Sequence, residues 1–388
     1  MNYTKKLVGF ILLFFAIFLS HAQEIKTNED LKVGLVLSGG GAKGVAHIGA
    51  LKIIEESGVR IDYIAGTSMG AIVGALYASG YSADQLMAIF QRADFDQLIN
   101  DEFLRKHKSP IERKDGDTRA LTLPFNDFKI SFPSALSRGQ NVYNYYVQLL
   151  NHVKDVDDFS QLPIPFFCMA TNAETGKQVI LDKGYLPDAI AASGAIPSLF
   201  EPVYIGDKLL IDGGVANNYP IDELLAKDVD IIIGVDVQDD LRTRDNLKSV
   251  SDVLVQVSNF NTRKNMDEKI AKTSIYIKPD IEEFSVVSFN EGAAILQRGI
   301  EAGKKSREQL VALSKRQQHG DYKPVNLKQP EKHTINHIEI KGNENYSRAF
   351  VLGKLKIKTP SEVTYAKIDE GIKAIASTNN FHTVKFKI

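Results

Sequence analysis

The residue types that can do chemistry fall in three glycine-bearing stretches. Ser68 sits in Gly66-Thr67-Ser68-Met69-Gly70, with the apolar run Tyr63-Ile64-Ala65 before it and a helical stretch, Ala71 to Ala78, after it. A serine displayed on a tight strand-to-helix turn needs neighbours without bulk, which Gly66 and Gly70 supply, and this is the setting of a nucleophile elbow. The helix start behind it places positive partial charge near the hydroxyl. The same turn also suits a serine that only caps the helix. Asp212 heads Asp212-Gly213-Gly214, after the apolar Leu209 to Ile211. Such a carboxylate can approach another loop closely, or serve as an ordinary Asp-Gly turn. The third stretch is Ser38-Gly39-Gly40-Gly41-Ala42-Lys43-Gly44. Consecutive amides at a helix start form an anion cradle.

Gly39, Gly41 and Gly44 also have the G-x-G-x-x-G spacing of a dinucleotide site. That site needs an acid at the carboxyl end of the second strand. Gly66-Thr67-Ser68 stands there instead, and Asp62 lies at the wrong end of the strand. A serine nucleophile needs a base, usually histidine. Of the eight histidines, His21 belongs to the N-terminal leader described below, His107 and His152 fall in an irregular middle region, and His319, His333, His337 and His382 come late in the chain. His47 follows the glycine loop by one helical turn, where packing or hydrogen bonding fits it better than titration. No histidine after Asp212 falls in the catalytic layer, as a Ser–acid–His order would require. Asp212 is left as the base, acting directly on Ser68 in a dyad.

These loops need a frame. Val33 to Leu37, Tyr63 to Ala65, Phe166 to Ala170, Leu209 to Ile211 and Ile231 to Val237 read as buried strands, with helices at Ala46 to Glu56 and Ala71 to Ala78. Strands alternating with helices predict an α/β fold: a mostly parallel open sheet with helices on both faces. Ligands of such sheets bind outside the carboxyl ends of strands. Residues from about Asp94 to Arg138 break the pattern and read as a lid or a surface excursion. Ser274 to Lys278 is a candidate strand and Phe289 to Leu310 a closing helix. Polar residues 316–332, with Pro324 and Pro330, read as a linker. A small α+β unit over 333–388 follows: strand Ile335 to Ile340, helices Ser347 to Leu355 and Tyr365 to Ser377, and strand Thr383 to Ile388.

Composition sets the class. The 388 residues, 44% hydrophobic and 24% charged, are those of a globular chain rather than a disordered one. Bulk charge, 47 basic against 48 acidic side chains, gives no reason to expect nucleic acid as a partner. One cysteine, Cys168, excludes internal disulfides and cysteine-based metal sites. Lys5-Lys6, the apolar run Leu7 to Leu19 and Ser20-His21-Ala22 follow the order of a secretory signal peptide over residues 1–22. The expectation is export, to the periplasm, outer membrane or medium.

The three motifs, in this order, resemble the patatin-like phospholipases. That family has a glycine-rich oxyanion loop, a G-x-S-x-G serine and a D-G-G/A aspartate; Gly39 to Gly44, Ser68 within Gly66 to Gly70, and Asp212-Gly213-Gly214 match them. Ala192-Ser193-Gly194-Ala195-Ile196-Pro197 and Phe200-Glu201-Pro202 look like the family's segment upstream of the aspartate. The resemblance covers about Leu31 to Leu310 and implies a hydrolase domain over residues 31–315, with the motifs inside 33–225. It implies a lipid acyl hydrolase of phospholipase A or esterase type, with a Ser68–Asp212 dyad and Gly39, Gly40 and Gly41 as oxyanion donors. Gly44, Gly66, Gly70, Gly213 and Gly214 would support the motifs. No cofactor and no metal is implied. The substrate would be a phospholipid or another acyl-ester lipid at a membrane surface, with Lys43 placed either to attract a headgroup or to sit in solvent. The C-terminal unit resembles an incomplete polypeptide-transport-associated (POTRA) domain, which implies an outer-membrane barrel as partner or missing part. A non-catalytic lipid- or partner-binding module in envelope assembly or secretion is the alternative reading, and a nucleotide-dependent enzyme a third.

Overall fold

Val33–Leu37, Tyr63–Thr67, Phe166–Asn172 and Ile231–Val235 are buried on both faces along nearly their whole length, as apolar runs require when helices cover a parallel sheet. The computed structural model describes residues 30–99, 101, 125–126, 129–130, 135–241, 265–318, 330–378 and 380–388, together with 243, 244, 247, 253, 256 and 260. Among these the sheet strands are β1 (Val33–Leu37), β2 (Tyr63–Thr67), β3 (Phe166–Asn172), β4 (Gln178–Leu181), β5 (Val203–Ile205), β6 (Lys208–Asp212), β7 (Ile231–Val235) and β8 (Ile275–Ile277). Their order is β8-β7-β1-β2-β3-β6-β5, with β4 also paired to β3. The five strands from β8 to β3 run parallel, and β4, β5 and β6 are antiparallel additions. The fold is the expected mostly parallel α/β sheet.

Helices α1 (Ala46–Glu56), α2 (Met69–Ala78), α3 (Ala83–Arg92), α4 (Phe95–Ile99), α5 (Gln140–Leu149) and α6 (Leu186–Ser193) connect or cover these strands. Two apolar clusters line the sheet, one containing Leu35, Leu37, Ile64 and Phe166, the other Val36, Ala65, Phe167 and Met169. Alternate residues of the same strands serve opposite faces, as the pleat dictates. The stretch expected as one closing helix is broken. A 3-10 turn at Phe289–Glu291 leads into α7 (Gly292–Lys305), Ser306 interrupts, and α8 (Arg307–Ser314) continues. The break falls just after Lys304 and Lys305, cations suited to a helix C-terminus.

Gln317, placed in the linker by the sequence, is buried: its amide donates to Leu31 O (3.1 Å) and Arg60 O (2.8 Å) and accepts from Arg60 N (2.9 Å). The rest of the linker between 319 and 329, the leader, and positions 102–124 of the middle region lie outside the described residues. Of that middle region, α4, a short antiparallel pair Phe125–Asn126 with Lys129–Ile130, and a strand Ala135–Ser137 paired with Ser198–Phe200 are described.

The C-terminal unit has its own small core, Val351, Leu355, Ile368, Ile372 and Ile375, between α9 (Arg348–Leu355) and α10 (Tyr365–Ala376). Its helices are where the sequence put them; its strands are not. The strand expected at Ile335 to Ile340 is instead β9 (His333–Ile335), paired with β10 (Ser361–Val363). Ile338 and Ile340 pack on the unit's core from chain that joins no ladder. Thr383 to Ile388 likewise joins no ladder. Val384 exchanges two hydrogen bonds with the Gln140 side chain of α5 instead (2.7 and 3.0 Å). A strand needs a partner for its backbone; here a side-chain amide is the partner. Asn144, also on α5, donates to Asp369 (2.8 Å), so α5 joins the two units.

Candidate active site

Strand register decides which loops meet. Thr67 at the end of β2 pairs with Met169 of β3, and the next residue, Ala170, pairs with Asp212 at the end of β6. Ser68 and Asp212 therefore flank the same level of β3, although 144 positions separate them in the chain. Ser68 Oγ donates to Asp212 Oδ2 at 2.5 Å.

Ser68 has φ 55° and ψ −123°, a conformation that costs a non-glycine residue about 1–3 kcal/mol. The surroundings enforce it. A Cβ on Gly70 would stand 2.2 Å from Leu37 O, and one on Gly66 2.5 Å from Gly70 O, so neither position accepts a side chain. The Ser68 amide donates to Ser193 Oγ (3.0 Å), whose own hydroxyl donates to Met169 O (2.6 Å). The Ser68 side chain makes no cap bond to α2, so helix capping does not account for it.

Asp212 does two things with its two oxygens. Oδ1 accepts from Gly214 N (2.7 Å), which is the Asp-Gly turn; Oδ2 holds Ser68. Gly213 lies against Met169 O, where a Cβ would come to 2.2 Å. Burial pushes the Asp212 carboxyl up to about 6, while the bonds from Ser68 and Gly214 pull the other way. A carboxylate so placed is a stronger base than one in water, yet still ionised at pH 7.

The glycine loop closes the third side. Gly39 N–H is already engaged, pointing to Asn218 Oδ1 (3.1 Å) and Asn218 O (3.3 Å). This corrects the expectation of three free amides: the Gly39 donor is satisfied within the protein. Among the described residues, no hydrogen bond from Gly40 N or Gly41 N is formed. Gly41 has φ 56° and lines the same cavity as Ser68. Gly44 leaves room for Met69, whose Cγ would lie 2.2 Å from a Cβ there. Lys43, expected at a headgroup or in solvent, is at neither. It is 1% exposed and ion-paired with Asp239.

His47 is buried, donates from Nε2 to Ser38 O (2.8 Å), and is driven down to about 4 by burial. It is a neutral support for the loop. His152 bonds Ser79 O in the same way. Asp62 ties Arg60 (2.7 Å) and Val33 N (2.7 Å), at the start of β1 and away from the glycine loop, so it is not placed to hold a dinucleotide ribose there.

Ser68 and Gly41 belong to the wall of an apolar cleft enclosing about 740 Å³, solvent at its mouth included. Ile72, Leu76, Phe90, Leu149, Phe200 and Phe289 contribute to the lining. Sequence reasoning missed Asn218, Ser193 and the cleft walls from α3, α4 and α5. Only Ser193 carried a signal, standing in the segment before Asp212 that resembles the family.

Residues 35–225 match the family model for patatin-like phospholipase. Over that span the chain belongs to the patatin-like phospholipase family. The patatin-like chain is 28% identical over 297 residues to lysophospholipase NTE1 of Candida glabrata, covering 70% of this chain and 16% of that protein. It is 28% identical over 291 residues to the uncharacterized NTE family protein MT2641 of Mycobacterium tuberculosis, covering 69% and 45%. The chain thus spans less than half the length of either relative. Among solved structures, VipD from Legionella pneumophila aligns with TM-score 0.44 and 16% identity over 73% of this chain and 67% of that one.

Proposed function

We propose that the protein is a carboxylic ester hydrolase acting on membrane lipids, a phospholipase A or lysophospholipase, with Ser68 as nucleophile and Asp212 as its base. The observation that carries this reading is the 2.5 Å hydrogen bond from the Ser68 hydroxyl to a buried carboxylate, in the wall of an apolar cleft. Asp212 Oδ2 takes the Ser68 proton as Oγ attacks the ester carbonyl. The Gly40 and Gly41 amides hold the oxyanion, where one such donor is worth about 3 kcal/mol. Collapse of the tetrahedral intermediate expels the alcohol, which takes the proton from Asp212. Water then attacks the acyl-enzyme, with Asp212 again as base. The cleft takes the acyl chain, whose burial is worth about 0.8 kcal/mol per methylene.

The names of the NTE1 relatives, lysophospholipases, support a phospholipid or lysophospholipid as substrate. Export rests on the leader sequence, and we extend the reading to action at the cell envelope on that ground. The test is product analysis by mass spectrometry on mixed phospholipids. Free fatty acid and the matching lysolipid or glycerophosphodiester should accumulate with the parent protein and be absent with Ser68→Ala. Equal release by Ser68→Ala would overturn the assignment.

A further inference from the structure

We propose that Asn218 is a positioning residue for this reaction: its side chain clamps the Gly39 peptide and so fixes the Gly40 and Gly41 amides beside Ser68. The proposal rests on the reading of Ser68 as nucleophile.

Asn218 is 9% exposed, and both ends of its amide are used. Oδ1 accepts from Gly39 N (3.1 Å), and Nδ2 donates to Gly39 O (3.3 Å) and to Gln238 Oε1 (3.0 Å). A side chain that bonds the N–H and the C=O of one residue fixes the orientation of the peptides on either side of it, and the following peptide carries the Gly40 N–H. The packing is equally tight. A Cβ on Gly39 would lie 2.3 Å from Asn218 Oδ1 and 3.0 Å from Ser68 Cβ, and one on Gly214 would lie 2.7 Å from Asn218 Oδ1. The glycine loop and the Asp212 turn thus both meet this one amide, and the serine turn lies against the glycine loop beside it.

The clamp has an anchor behind it. Gln238 donates from its side chain (3.0 Å) and its backbone (2.9 Å) to Asp236 Oδ1. Asp236 is fully buried; burial alone would raise its carboxyl, but Lys278 (3.0 Å), Tyr276 OH (2.6 Å) and the Gln238 amide hold it below the usual carboxylate range. A fixed charge therefore ends the chain Gly39–Asn218–Gln238–Asp236. Thr67 Oγ1, one residue before the nucleophile, donates to Asn217 O (3.0 Å), so the Asn217-Asn218 turn also meets the serine turn.

Catalytic donors displaced by about 1 Å can lose about a hundredfold in rate. The expected result for Asn218→Ala and for the isosteric Asn218→Asp is therefore a fall in kcat of about tenfold to a hundredfold on p-nitrophenyl butyrate, with KM within about twofold. Gln238→Leu, which removes only the support, should show a smaller fall of the same kind. A long-chain alkyl boronic acid, which forms a tetrahedral serine adduct, should lose affinity by the factor lost in kcat/KM, while the matching alkyl alcohol binds unchanged. If Asn218→Ala does not fold, the Asp variant and Gln238→Leu decide. Unchanged kcat in the folded variants, or a KM effect alone, overturns the clamp. Failure of the underlying reading is distinct: Ser68→Ala would then turn over as fast as the parent.

Discussion

Replacing Asp212 by asparagine should cut activity steeply and stabilise the protein, the latter by an amount that depends on pH. Asparagine has the shape of the carboxyl and can still accept from Gly214 N, but it carries no charge. The folded carboxyl titrates at about 6 instead of 3.8. At about 1.4 kcal/mol per pH unit, keeping Asp212 ionised in its buried site costs the fold about 3 kcal/mol. The sign follows from proton uptake. Between 3.8 and 6 the folded protein holds a proton that the unfolded chain has lost, so stability from this group falls as pH rises through that window and stays low above it. Asp212→Asn lacks this dependence. In urea unfolding at pH 4 the two proteins should differ little; by pH 7 the variant should lead by about 2–3 kcal/mol. Its turnover of p-nitrophenyl butyrate should fall by about a hundredfold to ten-thousandfold, the usual range for a lost general base. A stability difference that stays flat from pH 4 to pH 8 would refute the buried-charge argument, and parent-level hydrolysis would refute the role as base.

The same titration sets the acid limb of activity: log kcat/KM should fall with unit slope below about pH 6, and a limb near pH 4 would show that a different group is the base. Gly70→Ala should lose at least about 2 kcal/mol in a denaturant melt, because the new Cβ meets the Leu37 carbonyl at 2.2 Å and backbone must move. Ile72→Trp, in the cleft wall, should lower the ratio of p-nitrophenyl palmitate to butyrate hydrolysis by about tenfold with the butyrate rate retained; an unchanged ratio would mean the chain lies elsewhere.

Local physics was enough to place the frame and two of the three loops. Val33–Leu37 and Ala46–Glu56 stand at the boundaries read from apolar runs and spacing, because burial on a parallel sheet and on a helix face each demand a pattern of their own. The serine turn was legible because Gly66 and Gly70 bracket Ser68 where a side chain would strike backbone. What stayed hidden depends on contacts between distant positions. Asn218 reaches Gly39 across 179 residues, and nothing near it in the chain announces that. Lys43 looked like a surface cation because its partner, Asp239, is 196 residues away. In the C-terminal unit, apolar alternation at Ile338 and Ile340 and from Thr383 to Ile388 was real. Alternation predicts which side chains are buried, however, and leaves open whether the backbone finds a partner strand.

The site gathers features that oppose folding. Ser68 holds a left-handed φ worth about 1–3 kcal/mol, and the carboxylate facing it is buried at a cost of similar size. Each is also what the proposed reaction needs: the first displays the hydroxyl, the second keeps its acceptor basic and dry. They persist because the loops carrying them leave strands with no slack. Leu37, Ala65, Phe167 and Ala170 are fully buried, and β3 lies between Ser68 and Asp212 as a spacer set by hydrogen-bond register. Slippage of β6 by one residue would turn Asp212 to the other face of the sheet. Two additional ties resist it: Asp212 N donates to Ala195 O (2.9 Å), and Thr171 Oγ1 donates to Asp212 O (2.8 Å). The Ser68–Asp212 distance is therefore a property of the sheet, and on the proposed function substitutions in β3 that disturb register should act on activity before they act on overall fold.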